Sequence, residues 1–340
     1  MKGAVLYEKT NAILCLLLCV FLAFSCAVPA FCAQAQSSFG AYDHVLIIGI
    51  DGAGRFIKDA DTPNFDRIFS SGAVNYTART EVPTDSGPNW GSILTGVSYF
   101  KHRIHNGNSG ENERSSDTAF PSVFTYARRA FPDAELASFV NWNNINYGII
   151  EKDIGVTKVH ISSDESLTDA ICAFFDEGNA PALFFVQMDE VDAAGHAYGS
   201  ASEEYFNAIR QADDRLGRIY DAAERNGLIE NGLFIVVADH GHKIKGGHGR
   251  FSMRETNTTV AAAGKTVVCA GTLDNQTRDR DVAAAVLYAL GIERPENFTA
   301  RIPANLFTDV KGEKRPILKD PTDWLISSFM WLVTLSTAWI

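Results

Sequence analysis

Short apolar runs alternate with stretches of helical hydrophobic spacing over most of the chain. The apolar runs predict buried strands at 44–50, 135–140, 182–188, 233–238 and 266–270. The stretches between them repeat apolar residues every three or four positions, which predicts helices at 63–71, 88–96, 122–130, 167–175, 202–225 and 282–290. Strands that alternate with helices in this way are typical of parallel sheets. We therefore expect an α/β fold, with a doubly wound, mostly parallel central sheet and helices on both of its faces.

The two ends of the chain depart from this alternation. An apolar run over 12–30 follows Lys2 and Lys9, and Ala33-Gln34-Ala35 offers a small-x-small cleavage site. This pattern predicts a signal peptide over 1–35, with an uncleaved membrane anchor as the alternative. Residues 324–340 carry no charge and follow a polar stretch, so we interpret 309–340 as a linker and an apolar tail. The tail either docks on the protein or attaches it to a membrane, as an anchor or as a removable lipid-anchor signal.

These assignments leave one domain, 36–308, in a protein that we expect to be secreted, periplasmic or extracellular, with membrane attachment through the tail as an alternative. The chain has 340 residues, 46% of them hydrophobic, which is enough for a large core. Its formal net charge of -11 argues against a duplex nucleic-acid partner, because phosphate contacts require a basic surface. Outside the signal peptide the chain keeps only Cys172 and Cys269, and an oxidising compartment allows but does not require a disulfide between them.

Acidic residues and histidines gather where the predicted strands end. They are Asp51, Asp192, His196, Asp239, His240 and His248. Functional sites of parallel sheets collect at the carboxyl ends of strands, and Asp and His are ligands that suit zinc. Asp192 and His196 are four residues apart, so a helix would point both side chains the same way. Each cluster alone is commonplace, as a turn, a surface contact or a solvated loop. Together they predict two divalent metal ions, with zinc as the expected metal.

One hydroxyl group completes this set. Ser86 precedes Gly87-Pro88, so it is predicted to cap a helix that begins at Pro88. A helix N-terminus favours an anionic phosphoryl group and a serine alkoxide, which makes Ser86 a candidate nucleophile. In the absence of metals, capping the helix would be its main role.

The other histidines have no predicted place among the ligands. His242 is assigned to a loop position without a ligand role. His102 and His105 are expected to shape a loop, with a peripheral role at the site as the alternative. His44 and His160 are interpreted as structural.

The motifs as a set are similar to those of the alkaline phosphatase superfamily, and within it to the nucleotide pyrophosphatase/phosphodiesterase branch. The resemblance runs from about residue 43 to residue 307 and rests on VLIIGIDG, PTDSGPNWGSILTG, KHRIHNG, FVQMDEVDAAGHAYG, FIVVADHGH and GGHG. It implies a single α/β domain that holds two zinc ions. The residues that match the ligands of one zinc are Asp51, Ser86, Asp239 and His240. Those that match the ligands of the other are Asp192, His196 and His248. Asn89 matches an asparagine that contacts a phosphoryl oxygen.

Two features depart from the family. Its members in this branch ordinarily use threonine where this chain has Ser86, which preserves the hydroxyl chemistry but blurs the subfamily. His248 lies close behind the preceding cluster, whereas animal pyrophosphatases place this histidine far downstream.

Along the chain, Arg79 and Lys101 are the basic residues nearest to Ser86. The lack of a nearer basic residue, together with the neutral Asn89, favours the single negative charge of a phosphodiester over the double charge of a monoester.

The sequence thus predicts a metal-dependent phosphoester hydrolase, a phosphodiesterase or nucleotide pyrophosphatase that acts through a phosphoserine intermediate. Its substrate would be a small phosphoester of nucleotide or lipid head-group type. Trp90 and Tyr198 are candidates for stacking on a leaving group, with a place in the core as an equal alternative for each. A phosphomonoesterase and a phosphoalcohol transferase of the same superfamily are the enzymatic alternatives. A catalytically silent metal-binding surface protein is the alternative from another class, and the complete ligand set argues against it.

Overall fold

The computed structural model describes residues 37–313 of the chain. The predicted signal peptide and the apolar tail at 324–340 lie outside these residues. Within the described part, none of the helices combines the length and the apolar character that crossing a bilayer requires. Residues 309–313 pack on the domain, because Ser38 N donates to Asp309 Oδ2 at 2.8 Å and Arg294 forms an ion pair with Glu313 at 2.6 Å.

One sheet of eight strands lies at the centre of the described residues. In chain order the strands are β1 (His44–Ile50), β2 (Ala73–Arg79), β3 (Leu136–Val140), β4 (Thr157–His160), β5 (Leu183–Met188), β6 (Gly232–Val237), β7 (Asn257–Ala263) and β8 (Gly271–Thr272). Across the sheet they follow the order β4-β3-β5-β1-β6-β7-β2-β8. Strand β7 runs antiparallel to both of its neighbours, β6 and β2, and the other described pairs are parallel. This confirms the predicted mostly parallel sheet.

Helices connect the strands and cover the sheet. They are α1 (Pro63–Phe69), α2 (Ser86–Thr95), α3 (Tyr99–His102), α4 (Asn106–Glu111), α5 (Val123–Ala130), α6 (Asn144–Gly148), α7 (Asp164–Asp176), α8 (Glu190–Tyr198), α9 (Glu203–Arg225), α10 (Met253–Thr256) and α11 (Asp281–Ala289). A short 3-10 helix, Phe56–Asp59, follows β1.

Two apolar cores lie on opposite faces of the sheet. Successive side chains of a strand point to opposite faces, so Val45 and Ile47 of β1 belong to one core and Leu46 and Ile48 to the other. The first core takes apolar residues from α2, α5 and α11, and the second takes them from α1, α7 and α9. Helices therefore cover both faces, as the sequence predicts, and β5 and β6 are buried along their whole length.

The three central strands end at the same edge of the sheet. Ile50, the last residue of β1, pairs with Met188, the last residue of β5. Gly49 pairs with Val237, the last residue of β6. The segments that follow these strands therefore start side by side, and they are the segments in which the sequence places most of its acidic and histidine residues.

Two predicted elements differ from the structure. Residues 266–270 do not form a strand, and Val267 makes an isolated bridge to Phe307. The strand of this region is β7, whose sequence NTTVAAA ends in three alanines and lacks a strong strand pattern. Helix α2 begins at Ser86 rather than at Pro88, so Ser86 is the first helical residue and not the helix cap.

Candidate metal centre

Ser86 lies in the first turn of α2. The residue before it, Asp85, has extended backbone in the N-cap position and makes no capping hydrogen bond with its side chain. Ser86 is only 8% exposed. Its Oγ lies 3.2 Å from His240 Nε2 and 3.4 Å from Asp51 Oδ1. The hydroxyl group that the sequence singles out is therefore adjacent to two of the predicted ligands.

We call Asp51, Asp239 and His240 the buried ligand group. All three are fully buried, and each offers a ligand atom within 4.8 Å of the others. Asp51 follows β1 directly, and the other two residues follow β6 after one intervening residue, so the sheet positions their backbones. His240 Nε2 lies 3.3 Å from Asp239 Oδ2 and 3.5 Å from Asp51 Oδ1.

Each carboxylate of the buried ligand group has one oxygen held by the protein. Asp51 Oδ2 accepts hydrogen bonds from Trp90 Nε1 at 2.7 Å and from Gln187 Nε2 at 2.9 Å. Asp239 Oδ1 accepts hydrogen bonds from two backbone N–H groups, at 3.0 Å and 2.8 Å. The second oxygen of each carboxylate lies within 3.5 Å of His240 Nε2. Trp90 is thus a fully buried support for Asp51, which confirms the core role and excludes the alternative of stacking on a leaving group.

We call Asp192, His196 and His248 the open ligand group. The first two lie four residues apart on α8, as predicted, and the third lies in the loop after β6. His196 Nε2 lies 3.4 Å from Asp192 Oδ2 and 2.9 Å from His248 Nε2. The side chain of His196 is 52% exposed, so this group opens to solvent. The rings of His248 and His240 stack with their centroids 3.9 Å apart, which joins the two ligand groups.

His242 lies in the loop after β6, as predicted, but between the two ligand groups, where the sequence alone indicated no role for it. It is fully buried, and its Nε2 lies 2.9 Å from Asp192 Oδ1. Together with Asp192 and His240 it forms a third set of ligand atoms within 4.8 Å of one another. A Cβ atom at Gly195 would overlap the His242 ring, so the close approach of α8 requires glycine there. The sequence signal for His242 was its spacing of two residues from His240, because side chains two residues apart in an extended segment point the same way.

Asn89 does not lie where the resemblance puts it. It is fully buried, and its Nδ2 donates to two backbone carbonyls of the preceding loop, at 3.3 Å and 2.8 Å. Its Oδ1 accepts a hydrogen bond from Glu81 N at 2.7 Å, so the amide holds the loop that leads into α2. Asn106, which has no predicted role, lies beside the start of α2 instead. Its Oδ1 accepts a hydrogen bond from Gly87 N at 2.7 Å. The sequence signal for this residue was its place in the KHRIHNG motif.

The remaining histidines lie outside both ligand groups. His102 is buried, with its Nε2 2.9 Å from Ser92 Oγ, and burial lowers its pKa to about 3. His105 caps α4 with its side chain, and His44 Nδ1 lies 2.9 Å from a backbone carbonyl. His160 ends β4 and is exposed. These positions are structural or loop-shaping ones.

Burial and mutual repulsion act on the carboxylates of the centre. Burial, with the charges of Asp192 and Asp189 behind it, raises the pKa of Asp51 well above its ordinary value. Burial and the charge of Asp51 do the same to the pKa of Asp239. Burial and the charge of Asp192 raise the pKa of Asp189 to about 6. A cation placed among these groups would stabilise their ionised forms.

The pKa values of Asp192, His240 and His242 are lowered rather than raised. Burial alone would raise the pKa of Asp192, but the hydrogen bond with His242 and the neighbouring imidazoles hold it below its ordinary value. Burial lowers the pKa of His240 well below its ordinary value, and the nearby His248 adds to this. Burial also lowers the pKa of His242. A neutral imidazole and an ionised carboxylate are the forms that bind a metal.

These residues fit a pair of divalent metal ions. Asp239 Oδ2 is buried and has no hydrogen-bond partner among the described residues. Buried polar atoms are rarely left in that condition, and a metal held by the buried ligand group would satisfy this oxygen. The donors of both ligand groups are carboxylate oxygens and imidazole nitrogens, which are ligands of zinc.

A mostly parallel sheet whose central strands carry such a centre at their carboxyl ends defines the alkaline-phosphatase-like class of α/β proteins. A solved structure with this fold is murine ectonucleotide pyrophosphatase/phosphodiesterase 5, as an inactive variant in complex with AMP. It is similar to this chain with a TM-score of 0.59 and 15% sequence identity, over 75% of this chain and 97% of that chain. At this level of identity the likeness concerns the fold.

Residues 45–246 match the type I phosphodiesterase / nucleotide pyrophosphatase family, and the chain belongs to it. The resemblance noted from the motifs is therefore confirmed. GPI ethanolamine phosphate transferase 2 of Aspergillus fumigatus is 24% identical over 256 residues, 71% of this chain and 33% of that protein. Human ectonucleotide pyrophosphatase/phosphodiesterase family member 7 is 25% identical over 239 residues, 63% of this chain and 50% of that protein. The chain thus spans half the length or less of these curated relatives.

Proposed function

We propose that this chain is a metal-dependent phosphodiesterase in which Ser86 attacks phosphorus. The observation that carries the proposal is the position of Ser86 Oγ, within 3.4 Å of two members of the buried ligand group and in the first turn of α2. The N-terminus of a helix favours a phosphoryl anion, because its unpaired N–H groups and the helix dipole both attract negative charge. Membership of the phosphodiesterase family supports chemistry at a phosphoester.

Two side chains near the start of α2 have different proposed roles in the reaction, Ser86 as the nucleophile and Asn106 as a hydrogen-bond donor. Ser86 Oγ would form a bond to phosphorus as the bond to the leaving alcohol breaks, and water would then cleave the phosphoserine and restore the hydroxyl group. Gly87 N holds Asn106 Oδ1, which orients the amide, and Asn106 Nδ2 makes no hydrogen bond to the described residues. We propose that this Nδ2 donates to a phosphoryl oxygen, which gains charge in the transition state.

The two ligand groups would each hold one ion, and zinc is the metal that we propose. One set of ligands is Asp51, Ser86, Asp239 and His240. The other is Asp192, His196 and His248. When bound, such ions would neutralise phosphoryl oxygens and lower the pKa of the serine hydroxyl group.

We further propose a diester rather than a monoester substrate, of nucleotide or lipid head-group type. Among the described residues, the side chains within hydrogen-bonding distance of Ser86 are those of Asp51 and His240, and neither carries a fixed positive charge. A dianionic monoester is better matched by an added arginine or lysine. Tyr198, which is 58% exposed at the end of α8, is still a candidate contact for the leaving group.

The Ser86→Ala variant tests the nucleophile. It should lower kcat for bis(4-nitrophenyl) phosphate by a factor on the order of 10³ or more, because loss of a catalytic serine has effects of that size. Ser86→Thr keeps the hydroxyl group and should retain a measurable share of the activity. Acid quenching during turnover should trap a 4-nitrophenyl phosphoryl group on the peptide that contains Ser86, because the attack releases only one of the two nitrophenolates. Near-normal turnover by the alanine variant would mean that water attacks phosphorus directly.

The similarity to GPI ethanolamine phosphate transferases favours a second candidate, transfer of a phosphoalcohol group to another alcohol. Hydrolysis and transfer share the attack by Ser86 and differ in the acceptor. Raising the concentration of an alcohol acceptor and measuring transferred against hydrolysed product separates them. A transferase would give mostly transferred product at acceptor concentrations far below that of water.

We also propose that the protein acts outside the cytoplasm, as a secreted, periplasmic or membrane-attached enzyme. The support is the signal-peptide pattern over 1–35 and the apolar composition of 324–340. N-terminal sequencing of the mature protein should give a start near residue 36. A mature protein that still begins at residue 1 would contradict cleavage.

A further inference from the structure

Exposed apolar side chains concentrate beside the open ligand group. In residues 37–313 the large exposed apolar side chains are Phe39, Phe131, Tyr147, Tyr198, Ile244, Phe251 and Met253. Tyr198 lies just after His196, and Ile244 and Phe251 lie on either side of His248 in the chain. Single exposed apolar residues are ordinary, but a group of them beside one candidate site marks a binding surface.

Backbone packing brings these residues to the rim of the site. We call residues 241–254 the rim loop. A Cβ atom at Gly246 would lie 2.8 Å from His196 O, so the rim loop packs directly on α8. A Cβ atom at Gly199 would overlap the carbonyl of Ile244, which places Ile244 next to the end of α8 and to Tyr198. Tyr198 and Ile244 therefore lie together at the end of α8, close to His196 of the open ligand group.

The rim loop is basic in an acidic protein. Its sequence, GHKIKGGHGRFSMR, contains Lys243, Lys245, Arg250 and Arg254 and no acidic residue, whereas the whole chain has 41 acidic and 30 basic residues. Arg254 packs inward, with its guanidinium 4.6 Å from the centre of an aromatic ring. Lys245 and Arg250 are exposed, like Ile244 between the two lysines. Positive charge and apolar surface thus occur together on one loop.

We propose that the rim loop rests on an anionic lipid surface. Apolar side chains enter the boundary between head groups and acyl chains, and lysine and arginine are attracted to anionic head groups. Acidic side chains in this region have partners that reduce their repulsion of such a surface: Asp85 Oδ1 lies 3.3 Å from His248 Nδ1, and Glu203 forms an ion pair with Arg210. Docking in this way would turn the open ligand group towards the lipid head groups. The proposal goes beyond the proposed chemistry, because lipid contact requires neither Ser86 nor bound metal.

Hydrogen–deuterium exchange of the full chain tests this docking. Vesicles of phosphatidylcholine and phosphatidylglycerol should slow exchange in residues 241–254 several-fold, and vesicles of phosphatidylcholine alone should slow it less. The segment around Phe131 is the internal control, because it precedes β3 and lies at the opposite edge of the sheet. The apolar ends of the chain could hold the protein near a vesicle, but they would not protect the rim loop selectively. No protection of the rim loop, or equal protection at both edges, would overturn the proposal.

Matched substitutions give a second test. Ile244→Ser combined with Phe251→Ser should remove the protection by vesicles, whereas Phe131→Ser, which changes an equally exposed phenylalanine elsewhere, should leave it intact. A double variant that is protected like the wild type but has a raised KM for a soluble aromatic diester would show a leaving-group contact instead, and the lipid proposal would be wrong. Ser86→Ala should keep the protection even though it loses turnover, so failure of the chemistry and failure of the docking can be told apart.

Discussion

The buried and open ligand groups are two halves of one centre that the fold builds in different ways. The residues of the buried group follow β1 and β6, the two adjacent strands at the middle of the sheet, and are fully buried. The open group comes from helix α8 and a glycine-rich loop, and the His196 side chain is half exposed. One half is thus positioned by the sheet, and the other by a helix and a loop that pack on it.

This difference assigns different tasks to the two halves. The carboxylates of Asp51 and Asp239 are oriented by hydrogen bonds from the protein, so the buried group is arranged before any metal binds. In the open group, His248 is held through Nδ1, 2.7 Å from Thr84 O, on a loop with left-handed glycines on both sides. We expect the buried half to fix the nucleophile and the open half to exchange metal and admit substrate.

The largest effect is expected when the buried half is changed. Asp51→Asn keeps the shape of the side chain but removes a charge next to Ser86, and it should lower kcat on the order of 10³-fold, a scale known for lost electrostatic stabilisation. His196→Ala in the open half should lower it by about 10²-fold at saturating zinc. Steady-state kinetics and metal analysis of both variants check this. Equal losses of activity and of metal would contradict a division of tasks between the halves.

A smaller effect is expected at His242. It lies near His240 of the buried group, and its Nε2 is 2.9 Å from Asp192 Oδ1 of the open group. His242→Ala removes the group that orients this ligand, and loss of such a partner ordinarily lowers metal affinity by about 10- to 100-fold. The loss should concern the weaker of the two metals, whereas the affinity of the buried group should stay unchanged. Competition with a chromophoric chelator measures both affinities.

The control for this prediction is His242→Gln, whose amide can still donate a hydrogen bond to Asp192. It should recover part of the lost affinity. If both metals weaken equally in the alanine variant, or if glutamine gives no recovery, His242 does not act through Asp192.

The sequence predicted all six members of the two ligand groups but missed two side chains that lie beside them. Asp51 and Asp239 could be found because each follows an apolar run, and the ends of parallel strands meet at one edge whatever the details of the loops. His242 was missed because its direction depends on the close approach of α8, which Gly195 permits. Asn106 was missed because it reaches Gly87 from another segment of the chain. In both cases the signal depends on tertiary packing rather than on local pattern.

The secondary structure shows the same division between elements with a strong local pattern, which were predicted, and elements that depend on tertiary packing, which were missed. The strands with continuous apolar runs, such as LFFVQM in β5, were predicted to within a residue. Strand β7 was missed because only its Thr-Thr-Val segment favours a strand, whereas the three alanines that follow do not. It is extended because it pairs with β6 and β2, whose residues are distant in sequence. Helix α2 was predicted to begin two residues too late, since Pro88 lies inside its first turn rather than at its start.

The smallest effect concerns the stability of the buried half without metal. Burial and the charge of Asp51 raise the pKa of Asp239 in the folded protein, whereas a carboxyl group of the unfolded chain titrates near pH ~3.9. Above that pH the folded state therefore binds more protons than the unfolded state, so the free energy of unfolding falls as the pH rises towards the raised pKa. Asp239→Asn has no such proton to lose. In the presence of a chelator, this variant should therefore gain stability relative to the wild type as the pH rises.

With zinc this gain should disappear, because the ionised carboxylate of Asp239 then serves as a ligand that asparagine cannot replace. Urea unfolding at a series of pH values, with chelator and with zinc, measures both differences. Asp176→Asn is the control of opposite sign, since the hydrogen bond from Arg225 lowers the pKa of this exposed carboxyl group. That variant should be the less stable one at neutral pH, and its difference from the wild type should shrink as the pH falls through the lowered pKa. A gain in stability for Asp239→Asn that persists when zinc is added would contradict a cation site in the buried ligand group.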